Sequence, residues 1–184
     1  NPVTGTHNER ENANEVLINV IFEDYKTNQI LFAMKENHPY EEVAYQLITL
    51  ENDNQYTGLG RYGNLEQEMD ELDFLTFIKQ KFNIDIIRHS SLNNKKIRTI
   101  GVLGGSGASG IKAAMSAKCD AYITGDVKYH DFFFAEGKML ICDIGHFESE
   151  QFVVQQLFEI LSEKFTTFAI AKTTQKTNPV NYFL

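Results

Sequence analysis

The sequence predicts an α/β fold with a mainly parallel sheet flanked by helices, preceded by a small α+β module. Three observations lead to this prediction. Short apolar, β-branched segments alternate with segments of helical periodicity through the later two thirds of the chain. A polar run at 51–55, followed by closely spaced glycines, separates that part from an earlier and shorter pattern. Helices between strands provide the crossover connections that parallel strands need.

The first 54 residues carry the pattern of the small module. Residues 16–22 are apolar and β-branched, which predicts a strand. The helical spacing of Ile30, Leu31 and Met34 predicts a helix that ends at His38-Pro39, and the alternation over 43–50 predicts a second strand. We therefore assign 1–54 to a βαβ-like module and 55–184 to the main α/β unit.

The main unit has the more regular pattern of strands and helices. Asp70 is a predicted cap for a helix whose apolar stripe runs from Leu72 to Phe82. Predicted strands follow at 84–87, 97–103, 121–124, 139–144 and 168–171. Predicted helices lie at 111–118, 129–136 and 152–165, the last with Phe152, Leu157, Ile160 and Leu161 facing inward.

Charge and hydropathy limit the possible partners. The formal net charge of -8 repels nucleic-acid phosphates, so we expect no nucleic-acid partner. No stretch approaches the roughly 20 apolar residues of a membrane span, and residues 1–14 lack the apolar core of a signal peptide, so we expect no membrane association and a cytoplasmic location. Because the chain starts in a polar, loop-like stretch rather than at Met, we also expect a fragment of a longer protein.

Cysteine usage and the absence of nucleophile motifs limit the possible chemistry. Cys119 and Cys142 each lie in an apolar run and form no CxxC pair, which predicts reduced thiols in the core. The sequence has no GxSxG elbow, and neither cysteine has a nearby histidine in a pattern that would suggest a thiol nucleophile. Covalent catalysis is therefore not indicated, whereas water activated by a divalent ion would need no protein nucleophile.

Polar residues gather where three of the predicted strands end. The run 104–107 follows one strand, 124–126 with His130 follows the next, and 145–146 with Glu150 follows the third. The carboxyl ends of parallel strands meet at one edge of a sheet, which is where such folds bind ligands. This convergence predicts a small-molecule site at that edge.

His146 and Glu150 are the candidate metal ligands. They lie four positions apart where a helix should begin, so both side chains can face one ion. An imidazole and a carboxylate suit zinc, manganese or iron. The spacing alone fits better a helix start at which Glu150 meets free backbone N–H groups and His146 is a capping or surface residue.

Two further groups are candidates for substrate binding and proton transfer. The backbone N–H groups of Gly105, Ser106 and Gly107 could bind a phosphate or another anion, although the same residues could simply form a tight turn. Asp126 and His130, four positions apart, are candidate catalytic residues, as a hydrogen-bonding partner of a metal ligand and a proton-transfer group. Asp126 could equally be a helix N-cap.

Two segments closely resemble one known family. They are Thr124-Gly125-Asp126-Val127-Lys128-Tyr129-His130-Asp131 and Asp143-Ile144-Gly145-His146-Phe147-Glu148-Ser149-Glu150. The family is that of the GTP cyclohydrolase 1 type 2 homologs, also called NGG-interacting-factor-three-like proteins. The resemblance extends through 104–107, 58–63 and 38–42 and covers nearly the whole chain.

The resemblance implies a dinuclear metal site between two α/β halves, with two divalent ions (zinc, manganese or iron) per full-length subunit. It implies that 1–54 is the later part of an inserted module of the ferredoxin, PII and CutA type, and 55–184 the C-terminal half. His146 and Glu150 match the two ligands that this half supplies, and Asp126 and His130 match positions facing the same cleft. The family's other ligands have no counterpart here, so we expect this chain alone to bind metal weakly or not at all.

Two functions remain open at this point. The first is a metal-dependent hydrolase acting on a small molecule, for which the family name implies a nucleotide, GTP. The second is a metal-binding regulatory or scaffold protein without turnover. The resemblance further implies a homo-oligomer, a hexamer in the full-length protein.

Overall fold

The computed structural model describes residues 12, 14–52, 54 and 57–183. The chain divides into two compact units, 1–53 and 54–184. The first unit contains a short 3-10 helix, Asp24–Lys26, and helix α1, Thr27–Asn37. Helix α1 ends where the sequence predicts. His38, which precedes a proline, adopts an extended backbone conformation that is incompatible with the α-helix.

The two strands predicted in the first unit are not present. Residues 16–22 and 43–50 form no strand, and most of their apolar side chains are exposed. A strand is stable only when a neighbour pairs with its backbone N–H and C=O groups, and the described part of this unit contains no such pair. The small α+β module therefore remains unconfirmed, while its predicted helix is confirmed.

The second unit is built on a five-stranded mixed sheet flanked by helices. The strands are β1 Arg61–Asp70, β2 Arg88–His89, β3 Lys96–Ser106, β4 Ala121–Gly125 and β5 Leu140–Asp143. The helices are α2 Glu71–Phe82, α3 Ile111–Ser116, α4 His146–Glu150 and α5 Val153–Lys164, with 3-10 turns at Ala108–Gly110 and Tyr129–Ala135.

The strand order is β1-β3-β4-β5-β2, and only the three central strands are parallel. The outer strands β1 and β2 pair antiparallel with β3 and β5. The prediction of a mainly parallel sheet is thus correct for the centre and wrong for the edges. Strand β1 was not predicted because its sequence is largely polar and its side chains are mostly exposed, as is usual for an edge strand.

The central strands bury side chains on both faces, which gives the unit two core layers. In β4, Ala121 and Ile123 pack with Phe74 and Ile78 of α2, whereas Tyr122 packs on the other face with Ile111 of α3. Successive strand residues point to opposite faces, so a fully buried strand reads as a continuous apolar run. Cys119 and Cys142 are buried free thiols, as predicted.

Three other predicted elements differ from the structure. Residues 84–87 precede the short strand β2 instead of forming one, and 168–171 form no strand. Helix α5 exists, but its predicted inward residues Phe152, Leu157, Ile160 and Leu161 remain 39–52% exposed. Helical periodicity shows which face of a helix is apolar but not what covers that face, so the prediction of their burial was wrong. None of the described helices has the length and apolar character needed to cross a membrane.

Candidate metal centre

The ends of β4 and β5 position the two polar segments of the site. Beyond β4, Asp126 has a left-handed backbone conformation, with φ of 53°. Beyond β5, the chain turns at Gly145, with φ of 93°, before α4 begins at His146. Gly125 permits the close approach of these segments, because a Cβ there would lie 2.8 Å from the carbonyl carbon and oxygen of Gly145.

His146 lies between two carboxylates. Its Nδ1 is 2.6 Å from Oδ2 of Asp126, and its Nε2 is 3.4 Å from Oε2 of Glu150. All three side chains are about half exposed. Since an ionised carboxylate only accepts hydrogen bonds, Asp126 favours the tautomer with the proton on Nδ1 and a free lone pair on Nε2. His146 and Glu150 therefore converge as their spacing suggests.

The carboxylates also affect the protonation of the imidazole. The hydrogen bond that His146 donates to Asp126 raises the pKa of His146 above its ordinary value, and the charges of Asp126 and Glu150 raise it further. Slight burial of the ring opposes this shift. The centre therefore has a negative potential that favours a cation, whether a proton or a metal ion.

The geometry of this donor pair fits a metal ion. Two ligands of one tetrahedral zinc ion, each at roughly 2.0–2.1 Å, lie about 3.4 Å apart. The distance from Nε2 of His146 to Oε2 of Glu150 has that value. Among the described residues, however, no group of three or more His, Cys, Asp and Glu side chains is arranged to hold a metal. The described chain thus supplies a partial donor set.

Ser149 connects α4 to the end of β3. Its Oγ accepts a hydrogen bond from the backbone N–H of Gly105 at 2.8 Å and donates one to the carbonyl of His146 at 2.7 Å. This contact holds the first turn of α4 against the turn formed by residues 104–107, the glycine turn. The signal in the sequence that could have indicated a role for Ser149 is its position between the two candidate ligands.

The glycine turn is close to the candidate metal donors, but two of its backbone N–H groups already have hydrogen-bond acceptors within the protein. The N–H of Gly105 donates to Ser149, and that of Gly107 donates to the carbonyl of Gly125 at 3.3 Å. A Cβ on Gly105 would lie 2.4 Å from Oε1 of Glu150, so this glycine leaves room for the carboxylate. Anion binding by Gly105, Ser106 and Gly107 stays a prediction.

His130 lies on the 3-10 turn Tyr129–Ala135, is exposed, and makes an edge contact with the ring of Tyr129. A cavity lies beside the three aligned side chains, and the described residues that line it include Asp126, His146 and Glu150 but not His130. Its role in proton transfer stays a prediction.

A cavity of about 620 Å³ adjoins the centre. Arg88 lines it together with the segment 177–180 and Tyr182, and Nδ2 of Asn178 donates to Oε1 of Glu148 at 2.9 Å. Its volume lies in the range of small-molecule sites. Neither Arg88 nor the segment 177–182 could be assigned to the site from the sequence, because long-range packing brings them here.

Comparisons with known proteins place this arrangement in a family. The family model Duf34/NIF3 (NGG1p interacting factor 3) matches residues 10–179. A Staphylococcus aureus protein named "GTP cyclohydrolase 1 type 2 homolog" is 32% identical over 99% of this chain and 50% of its own length. A Bacillus subtilis protein of the same name is 30% identical over 98% of this chain and 50% of its own.

Solved structures give the same result. A Bacillus cereus protein described as related to NIF3 superimposes with a TM-score of 0.71 and 31% identity, covering 88% of this chain and 46% of that one. A Staphylococcus aureus protein superimposes with a TM-score of 0.69 and 26% identity, covering 90% and 55%. The chain spans about half the length of the curated relatives it matches. The family model and these relatives show that the chain belongs to the Duf34/NIF3 (NGG1p interacting factor 3) family.

Proposed function

We propose that this chain forms part of the active site of a metal-dependent hydrolase, in which His146 and Glu150 hold a divalent ion of zinc, manganese or iron. The observation that carries the proposal is the alignment of Asp126, His146 and Glu150. One carboxylate lies 2.6 Å from Nδ1 of the imidazole, and the other lies 3.4 Å from Nε2. Metal-binding histidines typically have such a carboxylate partner on the nitrogen that does not bind the metal.

Each residue has a separate task in this proposal. His146 offers the Nε2 lone pair, and Glu150 offers a negatively charged oxygen one helical turn away. Asp126 orients the ring and increases its basicity, so it acts through His146 rather than on the substrate. A divalent ion held by these residues would supply Lewis-acid activation of water, which suits hydrolysis. His130 remains the candidate for proton transfer.

The substrate in this proposal is a small molecule that occupies the adjoining cavity. The cavity's volume suits a molecule of up to nucleotide size. The relatives' name mentions GTP, which makes a nucleotide one candidate class. The cavity walls combine Arg88 with apolar side chains such as Phe147 and Val153, and no feature of them selects guanine.

The remaining ligands and a second ion belong to the longer protein in this proposal. Two protein donors leave half of the positions of a four-coordinate ion unfilled, and more than half at higher coordination numbers. The chain covers half the length of its curated relatives, which leaves ample sequence for the missing ligands. The same longer protein is proposed to assemble as a homo-oligomer, with the hexamer as the expected form.

The test compares the intact protein with its His146→Ala and Glu150→Ala variants. Metal content is measured after dialysis, and hydrolysis is assayed with GTP, phosphoesters and cyclic amides. We expect bound divalent metal and metal-dependent turnover, both strongly reduced in each variant. His89→Ala is the control, because His89 is an exposed histidine on β2 whose Nδ1 lies 2.7 Å from the carbonyl oxygen of Ser90.

Two outcomes would contradict the proposal. Unchanged metal content in both variants would show that the ion lies elsewhere. Metal that depends on His146 but supports no hydrolysis of any compound in the panel would instead favour a metal-binding regulatory or scaffold protein.

A further inference from the structure

Asp143 is a nearly buried carboxylate at the end of β5, only 4% exposed. Its Oδ1 accepts a hydrogen bond from the backbone N–H of Gly145 at 3.0 Å. Its Oδ2 accepts one from the backbone N–H of Val127 at 3.0 Å and one from Nη1 of Arg88 at 3.0 Å. One carboxylate thus connects the loop after β4, the loop after β5 and the edge strand β2.

The two backbone donors are neighbours of the site residues. Val127 directly follows Asp126, and Gly145 directly precedes His146. Asp143 therefore holds the backbone next to each partner of the hydrogen bond between Asp126 and His146. That bond is 2.6 Å long, and hydrogen bonds weaken steeply as their distance and angle depart from the optimum. A small displacement of either loop would be enough to weaken it.

Only a carboxylate can make both backbone contacts. Val127 and Gly145 present N–H donors to different oxygens of Asp143, so both oxygens must accept. An asparagine has one accepting oxygen and one donating NH₂ group, and the latter would face an N–H without an acceptor. Arg88 balances the buried charge and also donates from Nη2 to the carbonyl of Val127 at 2.9 Å. Asp143 and Arg88 together therefore restrain the residue that follows Asp126.

We infer that Asp143 is a positioning residue that sets the geometry of the Asp126–His146 pair and, through it, the tautomer and direction of the imidazole. The inference deepens the proposed function and rests on it insofar as His146 binds metal. The effect of Asp143 on the imidazole of metal-free His146 is independent of that function.

The experiment compares Asp143→Asn with Glu71→Gln in the intact protein. Glu71 is an equally buried carboxylate, 4% exposed, that accepts backbone hydrogen bonds from Asn93 and Asn94 at 2.9 Å. It is not among the described residues that line the cavity at the metal centre. Both variants lose similar hydrogen bonds, so both are expected to lower the melting temperature, and this shared loss controls for a purely structural role.

Two readouts distinguish positioning from stability. The first is the ¹⁵N chemical shifts of His146 in metal-free protein, measured at a pH at which the ring is neutral. They should show the Nδ1–H tautomer in the wild type and in Glu71→Gln, and a mixture of tautomers in Asp143→Asn. The second is zinc affinity by competition with a chelator, which should fall about 10-fold or more only in Asp143→Asn.

An unchanged tautomer together with unchanged zinc affinity in Asp143→Asn would overturn the inference, as would equal losses of affinity in both variants. If the wild type binds no zinc, the proposed function fails, and the tautomer measurement alone decides the positioning role. If Asp143→Asn does not fold, Asp143→Glu is measured instead. It keeps the charge but displaces the carboxylate by one methylene, and the same shift towards mixed tautomers is expected, while an unchanged tautomer would refute the inference.

Discussion

Replacing Asp126 by alanine tests the carboxylate–imidazole contact directly. The contact is short, 2.6 Å, and pairs a charged acceptor with an Nδ1 donor. Without the acceptor, the imidazole proton can occupy either nitrogen and the ring is free to turn, so Nε2 is less often available beside Glu150. Loss of such a partner typically lowers metal affinity 10- to 100-fold, which is about 1.4 to 2.7 kcal/mol of binding free energy. Titration of the intact protein with zinc against a chromophoric chelator measures it.

Asp131→Ala provides the matched control for this prediction. Asp131 lies five residues further along the chain, and its mutation to alanine removes the same charge. Its carboxylate accepts a hydrogen bond from the backbone N–H of Lys128 at 3.2 Å. We expect the zinc affinity of Asp131→Ala to stay within about 3-fold of the wild type, because loss of a surface charge that water and salt screen has only a small effect. Equal affinities for the Asp126 and Asp131 variants would refute the orienting role of Asp126.

Three other predictions concern packing, thiol chemistry and the extent of the site. Gly125→Ala would place a Cβ 2.8–2.9 Å from backbone atoms and should lower the free energy of unfolding by about 1–3 kcal/mol, measured by chemical denaturation. A Cβ on Gly63 would have no atom within 4 Å, so Gly63→Ala should not destabilise the fold in this way. Equal effects of the two substitutions would contradict the packing argument. Burial raises the pKa of Cys119 and Cys142, so both thiols should react with a thiol reagent at pH 8 only after unfolding, and stoichiometric labelling of folded protein would contradict this. The 184-residue chain alone should bind divalent metal far more weakly than the intact protein, and tight stoichiometric binding by the chain would be the contrary result.

The sequence predicts the central sheet best, because its strands are buried on both faces. Residues 121–123 form a continuous apolar run within the strand predicted at 121–124, and the structure places β4 at 121–125. The polar edge strand β1 has no such signal, since its side chains are mostly exposed and the residues of β3 that pair with it lie 26 to 41 positions further along the chain. Only the pairing with β3 turns that segment into a strand.

The candidate metal centre was predictable in part because His146 and Glu150 lie one helical turn apart. Local geometry brings such a pair together whatever the rest of the fold does. Asp126 is 20 positions from His146, so their contact depends on the parallel pairing of β4 with β5. The roles of Asp143 and Arg88 were not predictable from spacing, because their hydrogen bonds join segments up to 55 residues apart.

The side chains of α5 show the limit of periodicity. The helix was predicted at nearly its observed bounds, yet its apolar face is only partly covered within the described chain. Periodicity shows that one face of a helix is apolar, but which part of the protein covers that face depends on tertiary packing.

An anomalous diffraction map of the intact protein crystallised with zinc tests the proposed metal centre most directly. We expect a peak within about 2.0–2.2 Å of both Nε2 of His146 and a carboxylate oxygen of Glu150, with Nδ1 still hydrogen-bonded to Asp126. A zinc peak remote from His146, or no peak while Nε2 contacts Glu150 alone, would contradict it.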